Sequence, residues 1–204
     1  RLAHENARPR ILDTAAANLE RGAVALSALE SRLVESGASA DLISEIRAMS
    51  AEIHDLVPRD FAPTRTFLDE EEIDLGNVSA LALWVSQGHT DGDVYVYLPE
   101  ENVLHCGDLF FHGRHPYVDV GAGATPRGWI RCIDAMLEHC DDGTVVVPGH
   151  GGTTDRLGLE TQRDYFLRLQ EIVERGRAEG RSREEIQMMD PGDFLDVDGG
   201  TEPL

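Results

Sequence analysis

Val78-Ser79-Ala80-Leu81-Ala82-Leu83-Trp84-Val85 leads into Gly88-His89, Val103-Leu104-His105-Cys106 into Gly107-Asp108, and Thr144-Val145-Val146-Val147 through Pro148 into Gly149-His150. Short runs rich in Val and Leu, bounded by Gly and Pro, read as buried strands. A glycine at each exit lets the backbone turn sharply without a Cβ clash. The pattern predicts three strand ends that carry His89, Asp108 and His150 on one rim of a sheet, where α/β proteins build their sites. Two imidazoles and a carboxylate on one rim suggest a metal site. Neutral imidazole suits zinc, iron and copper, and a carboxylate can bridge two cations through its two oxygens. The spacings are far longer than those of a zinc finger and suit a site assembled from separate strands. Any one of the three alone reads first as a hydrogen-bonded polar residue at a strand end; the shared strand–glycine–ligand context favours metal.

Upstream, Arg1 to Leu56 reads as helical. Leu12, Ala16, Leu19, Ala23, Leu26, Leu29 and Leu33 recur at three- and four-residue steps, marking one apolar stripe. Gly37 ends that helix, and Ser39 caps a second one carrying Leu42, Ile43, Ile46, Met49 and Ile53. Pro58 closes the hairpin. Its stripes could cover a sheet, a substrate channel or a dimer partner, and packing is the default. His4 and His54 lie in it without metal-spaced partners. Thr64 to Phe67 and Glu71 to Leu75 are weak strand candidates, and Asp93 to Leu98 forms a hairpin with Val103 to Cys106. Phe110 to Gly123 reads as a loop. Thr125-Pro126 opens a helix whose buried face is Trp129, Ile130, Ile133, Met136 and Leu137. Leu159 to Arg177 is amphipathic through Tyr165, Phe166, Leu169, Ile172 and Val173, and Ser182 with Glu185 makes a capping box. The domains so read are a helical hairpin over 1–60, the body of an α/β domain over 61–189 and an acidic, loose tail over 190–204.

With 204 residues the chain can build one sizeable core. Its 18 basic residues, all Arg, stand against 38 acidic ones, a net charge of −20. That balance argues against nucleic-acid or anionic-membrane partners, whose phosphates are bound chiefly by Arg and Lys. It leaves a small-molecule substrate, since bound metal locally reverses the field. A homo-oligomer stays open. Cys106, Cys132 and Cys140 are an odd number without a CxxC spacing, so reduced buried thiols and a cytoplasmic location are expected.

Gly88-His89-Thr90-Asp91-Gly92-Asp93, then Gly107-Asp108-Leu109-Phe110-Phe111, then Pro148-Gly149-His150-Gly151 resemble, in order and spacing, the later motifs of the metallo-β-lactamase superfamily. The resemblance covers roughly Ala62 to Arg156. It implies an αββα sandwich with a dinuclear metal site on one rim, usually two Zn2+ per intact domain, with Fe or Mn as variants. His89 matches a ligand of the first metal, Asp108 the bridging and catalytic carboxylate, and His150 a ligand of the second. The implied reaction is hydrolysis of an ester, thioester, lactone or amide by metal-bound hydroxide. The pairing of the first two motifs resembles the thioesterase and lactonase branches more than the nucleases.

The superfamily's HxHxDH hallmark occurs nowhere in this sequence; the nearest approach is His112 and His115, after Asp108. The chain therefore reads as a piece that begins after that motif, with the first strands of the domain also missing. Each cation is left with two protein ligands, one of them shared, so this chain alone is expected to hold zinc weakly and to be inactive. The alternatives are a di-iron oxidoreductase on the same fold and a non-catalytic remnant that acts as an interaction module. His112 and His115 are either surface histidines or groups that face substrate, and Asp93 either orients His89 or holds a neighbouring backbone amide. Cys106 reads as a packed thiol. Asp91 and Arg114 have no argument beyond proximity.

Overall fold

The computed structural model describes residues 1–189; the acidic tail read over 190–204 lies outside the described residues. The chain divides into two compact units, Arg1–Thr66 and a second that begins at Phe67. In the first, β1 (Leu2–His4) pairs with β2 (Arg65–Phe67), and helices α1 (Ala7–Glu35) and α2 (Ala40–Asp55) form a hairpin. Helix therefore does not begin at Arg1, as the periodicity suggested: three extended residues come first, and a short strand has too few positions to show a period. Ser39 caps α2 by accepting from the Leu42 amide at 3.3 Å. Only Ala15 of α1 is fully buried, and Leu12 and Leu29 of the expected stripe are exposed. A two-helix hairpin contacts its partner along a narrow seam. Here the seam runs past Gly22, where an added Cβ would meet Ile53 Cδ1 at 2.7 Å.

The second unit is a five-stranded mixed sheet with helices on one face. Its strands lie in the order β3 (Glu70–Asp74), β4 (Ser79–Leu83), β5 (Tyr95–Leu98), β6 (Val103–Phe111) and β7 (Val145–His150). The first three pairings are antiparallel, and β6 with β7 is parallel. A parallel pair needs a crossover, supplied by α3 (Pro126–Glu138), and α4 (Arg156–Ala178) follows β7. Leu104, Cys106 and Val146 from the sheet and Trp129, Ile133, Met136, Leu159 and Phe166 from the helices make one dry core. Ile130 packs at its margin, whereas Val173, expected inside, is exposed. All three cysteines are free and buried, and burial pushes the Cys132 thiol up to about 12. The capping box of Ser182 and Glu185 opens α5 (Arg183–Gln187).

Two strands run further than the sequence suggests. β6 passes through Gly107 and Asp108 to Phe111, so Phe110 and Phe111 belong to a strand rather than to the following loop. β7 continues through Pro148 to His150. Pro148 is tolerated because β7 is the last strand of the sheet and the N–H it lacks, two residues on from the outward-bonded Val146, would face away from β6.

The start of α3 fixes how closely that helix approaches the β4–β5 connection. Thr125 caps it by accepting from the Gly128 amide at 3.0 Å, and its own hydroxyl donates to the Gln87 carbonyl at 3.3 Å. A Cβ on Gly128 would stand 2.0 Å from that carbonyl oxygen. Gly128→Ala is therefore expected to lower the urea midpoint by the equivalent of about 1–3 kcal/mol; an unchanged midpoint would show that the two backbones are not in contact.

Candidate metal centre

His89 sits in the connection between β4 and β5, Asp108 at an irregularity of β6, and His150 at the end of β7. The structure brings the three together. His89 Nε2 lies 3.8 Å from Asp108 Oδ2, and His150 Nε2 lies 3.4 Å from Asp108 Oδ1. Each imidazole thus faces a different oxygen of one carboxylate. Both separations exceed a direct N–H···O bond, which runs about 2.7–3.2 Å. They approach the edge of a tetrahedron of ligands around a cation, about 3.4 Å for metal–ligand bonds near 2.1 Å. The three side chains do not converge on one point. Among the described residues no group of three or more His, Cys, Asp and Glu forms a ready cage for one ion. The arrangement is two pairs hinged on Asp108, which fits the shared edge of a two-cation site but supplies only two protein ligands per cation.

The placement of Asp108 follows from the strand around it. Gly107 pairs with Pro148 and Phe111 with His150, so the span between them is two residues longer on β6 than on β7. Gly107 makes this break at φ +53°, a conformation that costs glycine little. Across the pair, a Cβ on Gly149 would stand 2.4 Å from Asp108 Oδ1 and 2.7 Å from the Gly107 carbonyl. Only bare backbone lets the carboxylate settle there.

His89 is the least exposed of the three, at 15% against 46% for Asp108 and 47% for His150. Its Nδ1–H donates to the Tyr117 carbonyl at 2.8 Å, which fixes the tautomer and leaves the Nε2 lone pair facing Asp108. Phe111, Tyr117 and Trp129 rings surround its imidazole at about 6 Å. The Phe111 ring stacks on His150 with centroids 4.5 Å apart. One aromatic side chain therefore touches both histidines.

Asp93 braces the His89 turn rather than His89 itself: its carboxylate accepts from the Thr90 amide and, at 2.9 Å, from the Thr90 hydroxyl. Burial pushes its carboxyl above the ordinary range, opposed by the Thr90 bonds and by nearby His89. The Asp91 amide donates to the Ala122 carbonyl at 3.0 Å and ties this turn to the loop before α3. The His112 amide donates to the His150 carbonyl at 2.8 Å, and its Nδ1–H to the Gly152 carbonyl at 2.8 Å. His115 Nδ1 lies 3.4 Å from the Tyr165 hydroxyl. His112 thus meets the cluster through its backbone amide while its ring turns to Gly152, and the His115 ring is held by Tyr165. Phe110, Phe111, His112, Gly113, Thr161 and Gln162 line a cleft of about 200 Å³ on this side of the sheet. The sequence reading missed Tyr117, which acts through a carbonyl that every residue carries, and Gln162, whose position in an amphipathic pattern looked like surface.

Known proteins resemble this chain in sequence and in fold. Residues 33–150 match the family model described as the metallo-β-lactamase superfamily. An uncharacterised protein of Mycobacterium tuberculosis is 34% identical over 104 residues, covering 48% of this chain and 45% of that protein. A metallo-β-lactamase type 2 of Bacillus cereus is 30% identical over 81 residues, covering 40% of this chain and 32% of the enzyme. The matched stretch thus spans less than half the length of these curated relatives. Among solved structures, the stereoselective inverting sec-alkylsulfatase Pisa1 from Pseudomonas sp. superposes with a TM-score of 0.51 at 22% identity, over 66% of this chain and 23% of that one; this likeness is one of fold.

Gly149→Ala tests the close approach. The added methyl is expected to push the Asp108 carboxylate off its seat, lowering the melting temperature by the equivalent of about 1–3 kcal/mol and zinc affinity by about tenfold. Competition with a chromophoric chelator reads the second effect; wild-type affinity in this variant would mean that the carboxylate does not need the seat.

Proposed function

The chain belongs to the metallo-β-lactamase superfamily, and from that premise we propose that it forms the later part of a metal-dependent hydrolase acting on a small ester, thioester, lactone or amide. The observation that carries this reading is the hinge of two imidazoles on the two oxygens of Asp108. In this reading Asp108 would be the carboxylate shared between two cations, with His89 from the β4–β5 turn and His150 from β7 as the further protein donors. Divalent zinc, when bound, polarises the scissile carbonyl and lowers the pKa of water towards neutrality; iron or manganese would suit the same donors.

This chain's residues supply orientation. The Tyr117 carbonyl keeps the Nδ1 proton on His89, so Nε2 stays a lone-pair donor. The Phe111 ring holds His150 against rotation and keeps water from the inner flank of both imidazoles. Partners beyond a small-molecule substrate are not part of the proposal: the acidic surface disfavours nucleic acid, and among the described residues no helix is long and apolar enough to cross a membrane.

The ligand count sets the test. With two protein ligands per cation, this chain alone is expected to bind zinc weakly and to show no hydrolysis above free zinc. A reading frame extended upstream of Arg1 is expected to encode HxHxDH, and the extended protein to hold roughly two metals per domain with measurable turnover. In that protein Asp108→Asn is expected to lose at least ~100-fold in kcat/KM together with much of its metal, because a neutral amide bridges two cations poorly. Steady-state assays with metal quantification on the short, extended and Asp108→Asn proteins decide it. Full turnover by the short chain, or by Asp108→Asn, would refute the assignment.

A further inference from the structure

We propose that Gln162 and Trp129 form a buried clamp that holds the irregular part of β6 and thereby positions Asp108. Pairing of β6 with β5 runs from Val103 to His105, and its register with β7 breaks between Gly107 and Phe111. Asp108 stands inside that break. A buried amide or carbonyl there needs a partner from elsewhere, and the helices supply it. Gln162 of α4 is 1% exposed; its Oε1 accepts from the Phe111 amide at 2.8 Å and its Nε2 donates to the Leu109 carbonyl at 2.8 Å. Trp129 of α3 is fully buried and donates from Nε1 to the same carbonyl at 2.6 Å.

The choice of residue follows from the geometry of the gap. In a parallel ladder, the carbonyl of one residue and the amide two positions on both bond to a single residue of the neighbouring strand. A carboxamide offers one acceptor and one donor side by side, so the Gln162 side chain stands in for that neighbour opposite Phe110. A buried glutamine that spends both ends on strand backbone binds no ligand; its effect passes through β6. Asp108 immediately precedes Leu109, and Phe111 carries the ring stacked on His150. Fixing Leu109 and Phe111 therefore fixes both the carboxylate and the platform of its partner imidazole. Gln162 and Trp129 are positioning residues. Their link to metal rests on the function proposed above, whereas the clamp on β6 does not.

Two measurements on the whole chain test the two parts separately. The first is amide hydrogen exchange in metal-free protein, comparing Phe111 with Val146, whose amide donates to Thr154 in the adjoining bridge. Gln162→Met keeps the volume and removes both bonds, so Phe111 is expected to exchange about tenfold faster relative to Val146. Ile133→Ala, a cavity in the same core, is expected to speed both amides together. An unchanged ratio in Gln162→Met overturns the clamp. The second is a cobalt(II) titration followed by visible absorbance. Gln162→Met, and Trp129→Phe as the milder variant should the first fail to fold, are expected to bind cobalt about tenfold more weakly with an altered spectrum, while Ile133→Ala binds as the wild type does. Equal affinity in all four proteins overturns the positioning role. A wild-type chain that binds no cobalt overturns the metal reading instead, and the exchange ratio still decides the clamp.

Discussion

The Asp108 carboxylate rests where a Cβ on Gly149 would stand, 2.4 Å from its Oδ1, so two neighbouring strands approach more closely here than side chains would permit. Much of the second unit serves that approach. β6 and β7 run parallel, which requires the crossover helix α3; the crossover helix brings Trp129 beneath β6. The register break at Gly107 turns Asp108 outward, and the strand then resumes with Leu109, Phe110 and Phe111 all buried.

The second unit's architecture was readable because its strands obey the apolar-run rule and its helices carry recognisable caps. Thr125 and Ser182, like Ser39 in the first unit, each accept the backbone amide that their cap position predicts. The three candidate ligands were readable because each follows a glycine, and at Gly107 and Gly149 the reason is now physical: one takes positive φ and the other makes room for a carboxylate. The length of β6 was not readable. A bulge leaves no periodic signature, and Gly107-Asp108 looks like a strand exit when it is an interruption. Gln162 was hidden for a related reason, since a polar residue that satisfies strand backbone from a helix resembles a solvated position in any pattern of apolar spacing. The seam of α1 against α2 was blurred because a stripe of leucines is wider than the contact a single partner helix can cover.

The loop from His112 to Thr125 is tied to the candidate centre at three points: the His112 amide on the His150 carbonyl, the Tyr117 carbonyl on His89, and the Ala122 carbonyl on the Asp91 amide. Each tie uses backbone on the loop side. Backbone groups are the same whatever side chain follows, so residues here can change without losing the tautomer of His89. Tyr117 and Val120 are exposed on this loop, at 55% and 75%. A loop tied to the centre by its main chain can vary exposed side chains such as Val120 beside a fixed centre.

Pro148 has a consequence at the opposite scale. A sheet's last strand offers its unpaired backbone groups to any chain that can align with them, and such contacts propagate into aggregates. On β7 the outward groups of Val146 are already engaged by Thr154, and Pro148, two residues on, has no N–H to offer. A foreign strand could not zip along that side. At the other end of the sheet β3 carries Glu70, Glu71, Glu72 and Asp74, and two such strands laid edge to edge would repel. One border of this sheet thus offers missing and occupied hydrogen bonds and the other a row of carboxylates, so the proline that the centre tolerates also removes a bond that a foreign strand would need.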